Sequence, residues 1–245
     1  MPRKIKVVWV ICCILIFFGF VVLANKREMD ASREKRRTEA EDTQKRNEVA
    51  KQRLEQKKQF EAMMGKVQEL IALKQYEEAA ETASEALKLD PKNARAHTWW
   101  GLALARAGRI DEALDKFNLS SQLDPNQTQN YYYWGLVLIM KGDNEHAVDK
   151  FENALLLDPE NSKVYASWGA ALNNLERYDE AIKKLEEALA HNPKNENAYG
   201  VLVDAHFHKG QYQQAWEVID RARKNQMEIS PASLKRLSDA SPEPR

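Results

Sequence analysis

The sequence contains very little cysteine. Only two of its 245 residues are cysteine, Cys12 and Cys13, and they are adjacent near the N-terminus. The chain after them therefore has neither a disulfide bond nor a cysteine metal site.

The sequence also lacks the residue constellations on which catalysis depends. Its five histidines are dispersed. His206 and His208 lie two apart on a predicted helix, so they point to different faces, unlike an i, i+4 metal-binding pair. No glycine-rich phosphate-binding loop is present. Acidic pairs such as Glu186-Glu187 fit solvated helix faces. We therefore expect no enzymatic activity, no cofactor and no metal.

A third absence is that of charge in residues 7–24, VVWVICCILIFFGFVVLA. This run is long enough for about 27 Å of helix, which approaches the thickness of a bilayer core. It predicts a transmembrane anchor after a basic head, residues 1–6. The alternative is a cleaved signal peptide ending at Ala24. That reading fits less well, because the run is longer than a signal-peptide core and Lys26-Arg27 follow it directly.

Basic residues on both flanks of the run leave the orientation open by the positive-inside rule. Large domains are translocated largely regardless of their charge, whereas a basic head is costly to translocate. We therefore expect a single-pass protein of the bacterial inner membrane, with its folded part on the periplasmic side. The cytoplasmic side is the alternative.

Residues 25–59 form a linker without proline or glycine, rich in Lys, Arg, Glu, Gln and Ala. This composition predicts a helix, either solvated or paired in a coiled coil. The chain is neutral overall, but charge is unevenly distributed: +3 in the head, +4 in residues 26–59 and −7 in residues 60–245. The basic linker could contact anionic lipid, and the acidic remainder argues against a nucleic-acid partner.

The rest of the chain has an internal period of 34 residues. Four columns recur at this spacing, namely Trp100, Trp134 and Trp168; Gly101, Gly135 and Gly169; Ala79, Ala113, Ala147, Ala181 and Ala215; and Pro91, Pro125, Pro159 and Pro193. Within a period, apolar residues follow two helical stripes separated by Gly142-Asp143. Asp158-Pro159 ends the second stripe. Each period therefore predicts a pair of antiparallel helices, and the fold class is all-α.

This pattern resembles the tetratricopeptide repeat. The resemblance covers residues 60–229 as five units, 60–93, 94–127, 128–161, 162–195 and 196–229. The first unit has Lys66 and Val67 in the aromatic and glycine columns, and the fifth has Leu202 and Val203 there. The resemblance implies a right-handed α-solenoid. After it, Ser230-Pro231 predicts a capping helix over residues 230–238, followed by a disordered tail, 239–245.

The resemblance also implies a function in protein–protein interaction, through a groove formed by the first helix of each pair. Shifting the exposed positions of the central unit by one period nominates the groove residues. They are Arg95, Thr98, Trp99, Leu102, Arg106, Gln129, Tyr132, Tyr133, Leu136, Met140, Lys163, Ser167, Ala170, Asn173, Asn174, Asn197, Asp204, Phe207 and His208. Some members of the family hold a chaperone's C-terminal carboxylate with Lys and Asn side chains. The corresponding columns here carry Thr98 and Leu102, then Tyr132 and Leu136, so we do not expect that activity.

These observations predict a membrane-tethered scaffold that binds peptide or helical segments of other proteins and helps to assemble a membrane-associated complex. Two alternatives remain. The chain could be a structural protein that assembles with itself, or an exported soluble protein after signal cleavage.

Overall fold

The computed structural model describes the backbone of residues 3–243 and the side chains of residues 16–243. Every secondary-structure element in that part of the chain is an α-helix, which confirms the predicted all-α class. The residues form two compact units, 1–59 and 60–245.

A single helix, α1 (Arg3–Ala72), runs through the first unit and enters the second. The linker is helical throughout, and all of its side chains are exposed. Along it, an i, i+4 ion pair joins Nε of Arg37 to Oε1 of Glu41 at 3.0 Å. Such exposed pairs add only a few tenths of a kcal/mol each.

Among the described residues, no helix combines the length and the apolar character needed to cross a membrane. The predicted anchor, residues 7–24, begins among residues whose side chains lie outside the described part. Its remaining residues, 16–24, are helical and expose large apolar side chains, including Phe17 at 71% and Phe20 at 72%. The anchor and the basic head therefore stay predictions.

The second unit consists of helix pairs followed by one terminal helix. The end of α1 pairs with α2 (Tyr76–Leu89), and the later pairs are α3 (Ala94–Arg106) with α4 (Ile110–Leu123), α5 (Thr128–Lys141) with α6 (Asn144–Leu157), α7 (Ser162–Asn174) with α8 (Tyr178–His191), and α9 (Glu196–His208) with α10 (Tyr212–Lys224). The terminal helix is α11 (Pro231–Ala240). Each predicted unit contains one helix pair.

The turn inside each pair places one residue in the left-handed region at the same column. Gly142 has φ of 86°, and Gly108 and Gly210 have 85° and 69°. Lys74 and Glu176 adopt this conformation without being glycine, at φ of 61° and 58°. The left-handed residue reverses the chain, so that backbone N–H groups return to the last carbonyls of the first helix. In the central turn, the N–H of Asp143 donates to the carbonyl of Leu138 at 2.9 Å.

The turns between pairs follow from the Asp-Pro column and the asparagine after it. Three first helices begin after an asparagine whose side chain accepts a hydrogen bond from the helix, as Asn93 does from the N–H of Ala96 at 3.1 Å. Asn93 also donates to Asp90 Oδ2 at 2.9 Å. The sequence thus stops one helix and caps the next within one turn.

The glycine column lies where the two helices of a pair cross. A Cβ atom at Gly135 would lie 2.5 Å from Cε1 of Phe151, and one at Gly169 would lie 2.5 Å from Cγ of Leu185. Phe117, Phe151 and Leu185, in one column of the second helices, are all fully buried at 0% exposure. The close helix crossing therefore depends on the absence of a side chain opposite this column.

The tryptophan column is only half-buried, and a lysine from the second helix of the pair lies over each ring. The Nζ atoms of Lys116, Lys150 and Lys184 lie 4.1, 4.0 and 4.2 Å from the ring centroids of Trp100, Trp134 and Trp168. These are cation–π contacts between the two helices of each pair. The three central pairs thus share a lysine–tryptophan contact in the same position.

A buried polar network joins the second pair to the third. The hydroxyls of Thr98 and Ser120 lie 2.8 Å apart, and Thr98 donates to Oδ1 of Asn130 at 3.1 Å. Asn130 in turn donates to the carbonyl of Phe117 at 3.0 Å. Thr98, Ser120 and Asn130 are all fully or almost fully buried. Because buried polar groups are costly without partners, this network favours one alignment of the two pairs.

Replacing Asn130 by alanine is expected to lower the free energy of unfolding by about 1–3 kcal/mol, because it removes the buried hydrogen bonds that Asn130 makes with Thr98 and with the carbonyl of Phe117. Urea unfolding of residues 60–245 measures the effect. The matched change Asn118→Ala, at an exposed position, should alter stability by no more than about 0.5 kcal/mol. Equal effects of the two changes would contradict the network.

The terminal helix α11 is anchored on the last pair. Ser230 caps it by accepting a hydrogen bond from the N–H of Ser233 at 3.1 Å, as its sequence predicts. Leu237 is fully buried, and Nε1 of Trp216 donates to the carbonyl of Ser241 at 3.1 Å. Helix α11 ends at Ala240, two residues beyond the predicted capping helix, and Glu243 pairs with Arg223 at 2.6 Å. Residues 244–245 lie outside the described part.

Candidate partner-binding site

The first helices of successive pairs form one continuous surface, which we call the inner face. Helices α3 and α5, α5 and α7, and α7 and α9 each approach within 8 Å between Cα atoms. In the same described region, no two of α4, α6, α8 and α10 come that close. A stack whose first helices lie closer together than its second helices curves towards the first, so the inner face is its concave side.

An aromatic patch of Trp99, Tyr132 and Tyr133 lies on the inner face. The ring centroids of Trp99 and Tyr133 are 5.9 Å apart, and those of Tyr132 and Tyr133 are 5.5 Å apart. Gln129 Nε2 donates to the hydroxyl of Tyr133 at 3.2 Å. All three rings are partly exposed. The patch combines two successive repeats into one apolar surface with hydroxyl groups at its edge.

Tyr132 connects the patch to the neighbouring repeats. Burial of the ring raises the pKa of its phenol above the usual value, while the Ser167 hydroxyl and the Arg106 charge act in the opposite direction. The structure thus brings together Arg106, Tyr132 and Ser167, which were predicted to line the groove from three different repeats. Beyond them, Leu136 is partly exposed and Met140 is 55% exposed. An exposed methionine on the same helix as the aromatic rings suits an apolar partner side chain.

A second feature of the inner face is a cavity of about 430 Å³ between α7, α9 and the segment that leads into α11. We call it the acidic pocket. Four of the predicted groove residues, Ser167, Ala170, Asn197 and Asp204, line it. Its other lining residues include Glu196 and Glu228. The prediction missed these two acids. Glu196 opens α9, and the position of Glu228 depends on how α11 docks, which no periodic pattern encodes.

The two predicted asparagines have different surroundings. Asn174 Nδ2 donates to Oδ1 of Asn144 at 3.0 Å and so joins the turns of two repeats. Asn173 is half-buried, and its Oδ1 has no hydrogen-bond partner in the described part of the chain. This oxygen is itself buried, so it does not face a ligand on the inner face.

Two predicted groove residues are buried, and their assignment to the exposed surface is wrong. Thr98 is 1% exposed because it belongs to the network with Ser120 and Asn130, and Leu102 is 7% exposed. Both side chains pack inside the stack. One period later, Tyr132 occupies the column of Thr98 and Leu136 occupies the column of Leu102, and both remain partly exposed. The same column therefore faces differently in neighbouring repeats.

The remaining predicted residues lie at the ends of the inner face. Arg95 pairs with Glu61 at 3.1 Å, and Lys163 is exposed. Phe207 lies beneath Arg236 of α11, and the ring of His208 stacks on Tyr178 at 5.5 Å. Among the described side chains, no group of three or more His, Cys, Asp or Glu is placed to hold a metal ion.

Comparison with protein families supports the repeat assignment. Models of the tetratricopeptide repeat match residues 64–128, 129–161 and 172–237. The chain belongs to the tetratricopeptide repeat family. No curated protein matches the sequence.

Several solved structures share the tetratricopeptide architecture of this chain. A crystal structure of MamA is 21% identical, covers 65% of this chain and 94% of its own, and has a TM-score of 0.59. PilF of Pseudomonas aeruginosa is 18% identical, with coverage of 75% and 85% and a TM-score of 0.67. PilW, a type IV pilus biogenesis factor, is also 18% identical, with coverage of 74% and 85% and a TM-score of 0.67. At these identities the similarity concerns the fold alone.

Proposed function

We propose that this chain is a membrane-tethered scaffold, which binds peptide segments of partner proteins on its inner face and assembles them into a membrane-associated complex. The observation that carries the proposal is the inner face itself, which combines an exposed aromatic patch with an acidic pocket. Aromatic residues and arginine dominate the energetics of many interfaces, and both occur beside Tyr132. The side-chain amide nitrogen of Asn173 would donate to a carbonyl of an extended peptide. The proposed role involves no catalysis.

The tether in this proposal is the uncharged segment of residues 7–24. Its described part supports this role, because a helix with Phe17 and Phe20 exposed suits a lipid environment better than water. We place the repeats on the periplasmic side of a bacterial inner membrane, with the cytoplasmic side as the alternative. The start of the basic linker, at Lys26 and Arg27 directly after this segment, would contact anionic head groups.

Site-specific photocrosslinking tests the proposal in the full-length chain. Benzoylphenylalanine at position 140, where Met140 is 55% exposed on the inner face, is expected to form adducts with a partner protein in carbonate-washed membranes. Adding Tyr132→Ala and Asn173→Ala to the crosslinking chain should reduce adduct yield by about tenfold, equivalent to ~1.4 kcal/mol of binding free energy.

The matched control places the same crosslinker at position 156, because Leu156 is 75% exposed on the second helix of the same repeat. Adducts at position 156 but not at position 140 would show that partners bind to the second helices of the pairs and not to the inner face. Adducts of the chain with itself would favour the alternative of a self-assembling structural protein. Release of the chain by the carbonate wash would contradict the tether.

A further inference from the structure

The acidic pocket has an unbalanced charge. Three of its lining residues, Glu196, Asp204 and Glu228, carry carboxylates, and none of the lining residues is basic. Between the acids the wall is formed by small or apolar residues, among them Ala170 and Gly200. A Cβ atom added to Gly200 would have no neighbouring heavy atom within 4 Å, so the space beside this glycine is open. The pocket therefore offers room for an aliphatic stem and negative charge for its end.

The chain itself places a guanidinium at the edge of this pocket. Arg236, on α11, donates from its Nη2 to Oδ1 of Asp204. The same guanidinium lies 4.5 Å from the centroid of the Phe207 ring. A carboxylate beside an aromatic face is a favourable environment for arginine, because the charge pairs with the acid while the plane stacks on the ring. Asp204 and Phe207 thus form a subsite that an arginine side chain of the chain itself occupies.

Arg236 does not hold α11 in place by itself. Leu237 is fully buried, and Trp216 is hydrogen-bonded to the carbonyl of Ser241. The side chain of Arg236 remains 41% exposed in its pair with Asp204. Since exposed ion pairs contribute little to stability, another guanidinium can replace Arg236 while α11 stays docked.

We propose that the acidic pocket binds an arginine side chain of the partner segment, whose guanidinium takes the place of Arg236 at Asp204 and Phe207. This inference rests on the proposed function and specifies the partner chemistry at one end of the same surface. The partner's arginine stem lies over Ala170 and Gly200, and Glu196 and Glu228 attract its charge. Arginine is favoured over lysine, because only its planar group can both pair with the carboxylate and stack on the ring.

Selection from a random peptide library displayed on phage tests this inference with the full-length chain. We expect the selected peptides to be enriched in arginine at one position. An enriched peptide should bind the Asp204→Asn chain about tenfold less tightly, because its guanidinium loses a charged partner. Citrulline in place of that arginine should weaken binding to the original chain equally and binding to Asp204→Asn very little. Arg236→Gln should tighten binding, because the internal competitor is removed.

Asp179→Asn is the matched control, since Asp179 also pairs with a basic side chain, Lys209, but lies away from the pocket with 85% of its side chain exposed. It should leave peptide binding unchanged. Circular dichroism melts of all variants report whether the fold is intact. Peptides that depend on Tyr132 but show no preference for arginine would overturn the inference and leave the proposed function standing. If no selected peptide depends on Tyr132, the proposed function fails, and the inference fails with it.

Discussion

Replacing Phe151 by alanine is expected to lower the free energy of unfolding by about 3–5 kcal/mol, the cost of truncating a large core side chain. The ring is fully buried, meets the surface of Gly135 and lies 6.4 Å from the Tyr132 ring between centroids. Its removal opens a cavity at the centre of the stack. In a solenoid each repeat is stabilised by its neighbours, so this loss also weakens the adjoining interfaces. Urea unfolding of residues 60–245, followed by circular dichroism, measures the change.

Leu156→Ala is the control for Phe151→Ala, because Leu156 lies on the same helix and is 75% exposed. It should change stability by no more than about 0.5 kcal/mol. A similar small effect at Phe151 would show that its ring does not fill the helix crossing.

Gly135→Ala is expected to destabilise the protein by about 1–3 kcal/mol, although alanine is the better helix former. The added Cβ would lie 2.5, 2.8 and 2.9 Å from Cε1, Cζ and Cδ1 of Phe151. The phenylalanine ring is enclosed on all sides, so it cannot turn away without displacing its neighbours. Thermal unfolding of residues 60–245 measures the loss as a lower midpoint.

The same substitution at Gly65 should have the opposite sign. Gly65 lies inside α1 with no heavy atom within 4 Å of an added Cβ. Alanine there should stabilise by about 0.5–1 kcal/mol, because it reduces the conformational freedom of the unfolded chain. Stability changes of opposite sign at the two glycines would show that the cost at Gly135 comes from the close helix crossing and not from helix propensity. Stabilisation by Gly135→Ala would show that Gly135 does not pack against Phe151 at the helix crossing.

The helix pairs were predictable because their signals are local and periodic. Asp158-Pro159 ends a helix and Gly142 reverses the chain. Similar residues recur at these positions every 34 residues. The length of α1 was harder to predict, because the linker and the first repeat are both rich in helix formers. No residue near position 59 interrupts the helix, so two units share it.

The binding surface was only partly predictable, because exposure at a given column depends on neighbouring repeats. Thr98 is buried by its hydrogen bond to Asn130, which lies 32 residues away. Tyr132, in the same column, stays partly exposed because it has a ring in place of a small hydroxyl group. The acidic pocket depends on the docking of α11, a contact without a counterpart in the repeats. Periodicity therefore predicts which helices form the inner face, but not which of their side chains are buried between repeats.

The lysine over each central tryptophan provides an optical signal for the opening of that helix pair. An indole beside a charged amine emits differently from one in water, and separation of the two helices of a pair would remove the lysine from its ring. If only Trp134 is retained among the six tryptophans, fluorescence would report the opening of the third pair alone. The same approach with Trp100 or Trp168 follows the pairs on either side. Local opening along the stack can thus be recorded one repeat at a time, with reporters that the chain already contains.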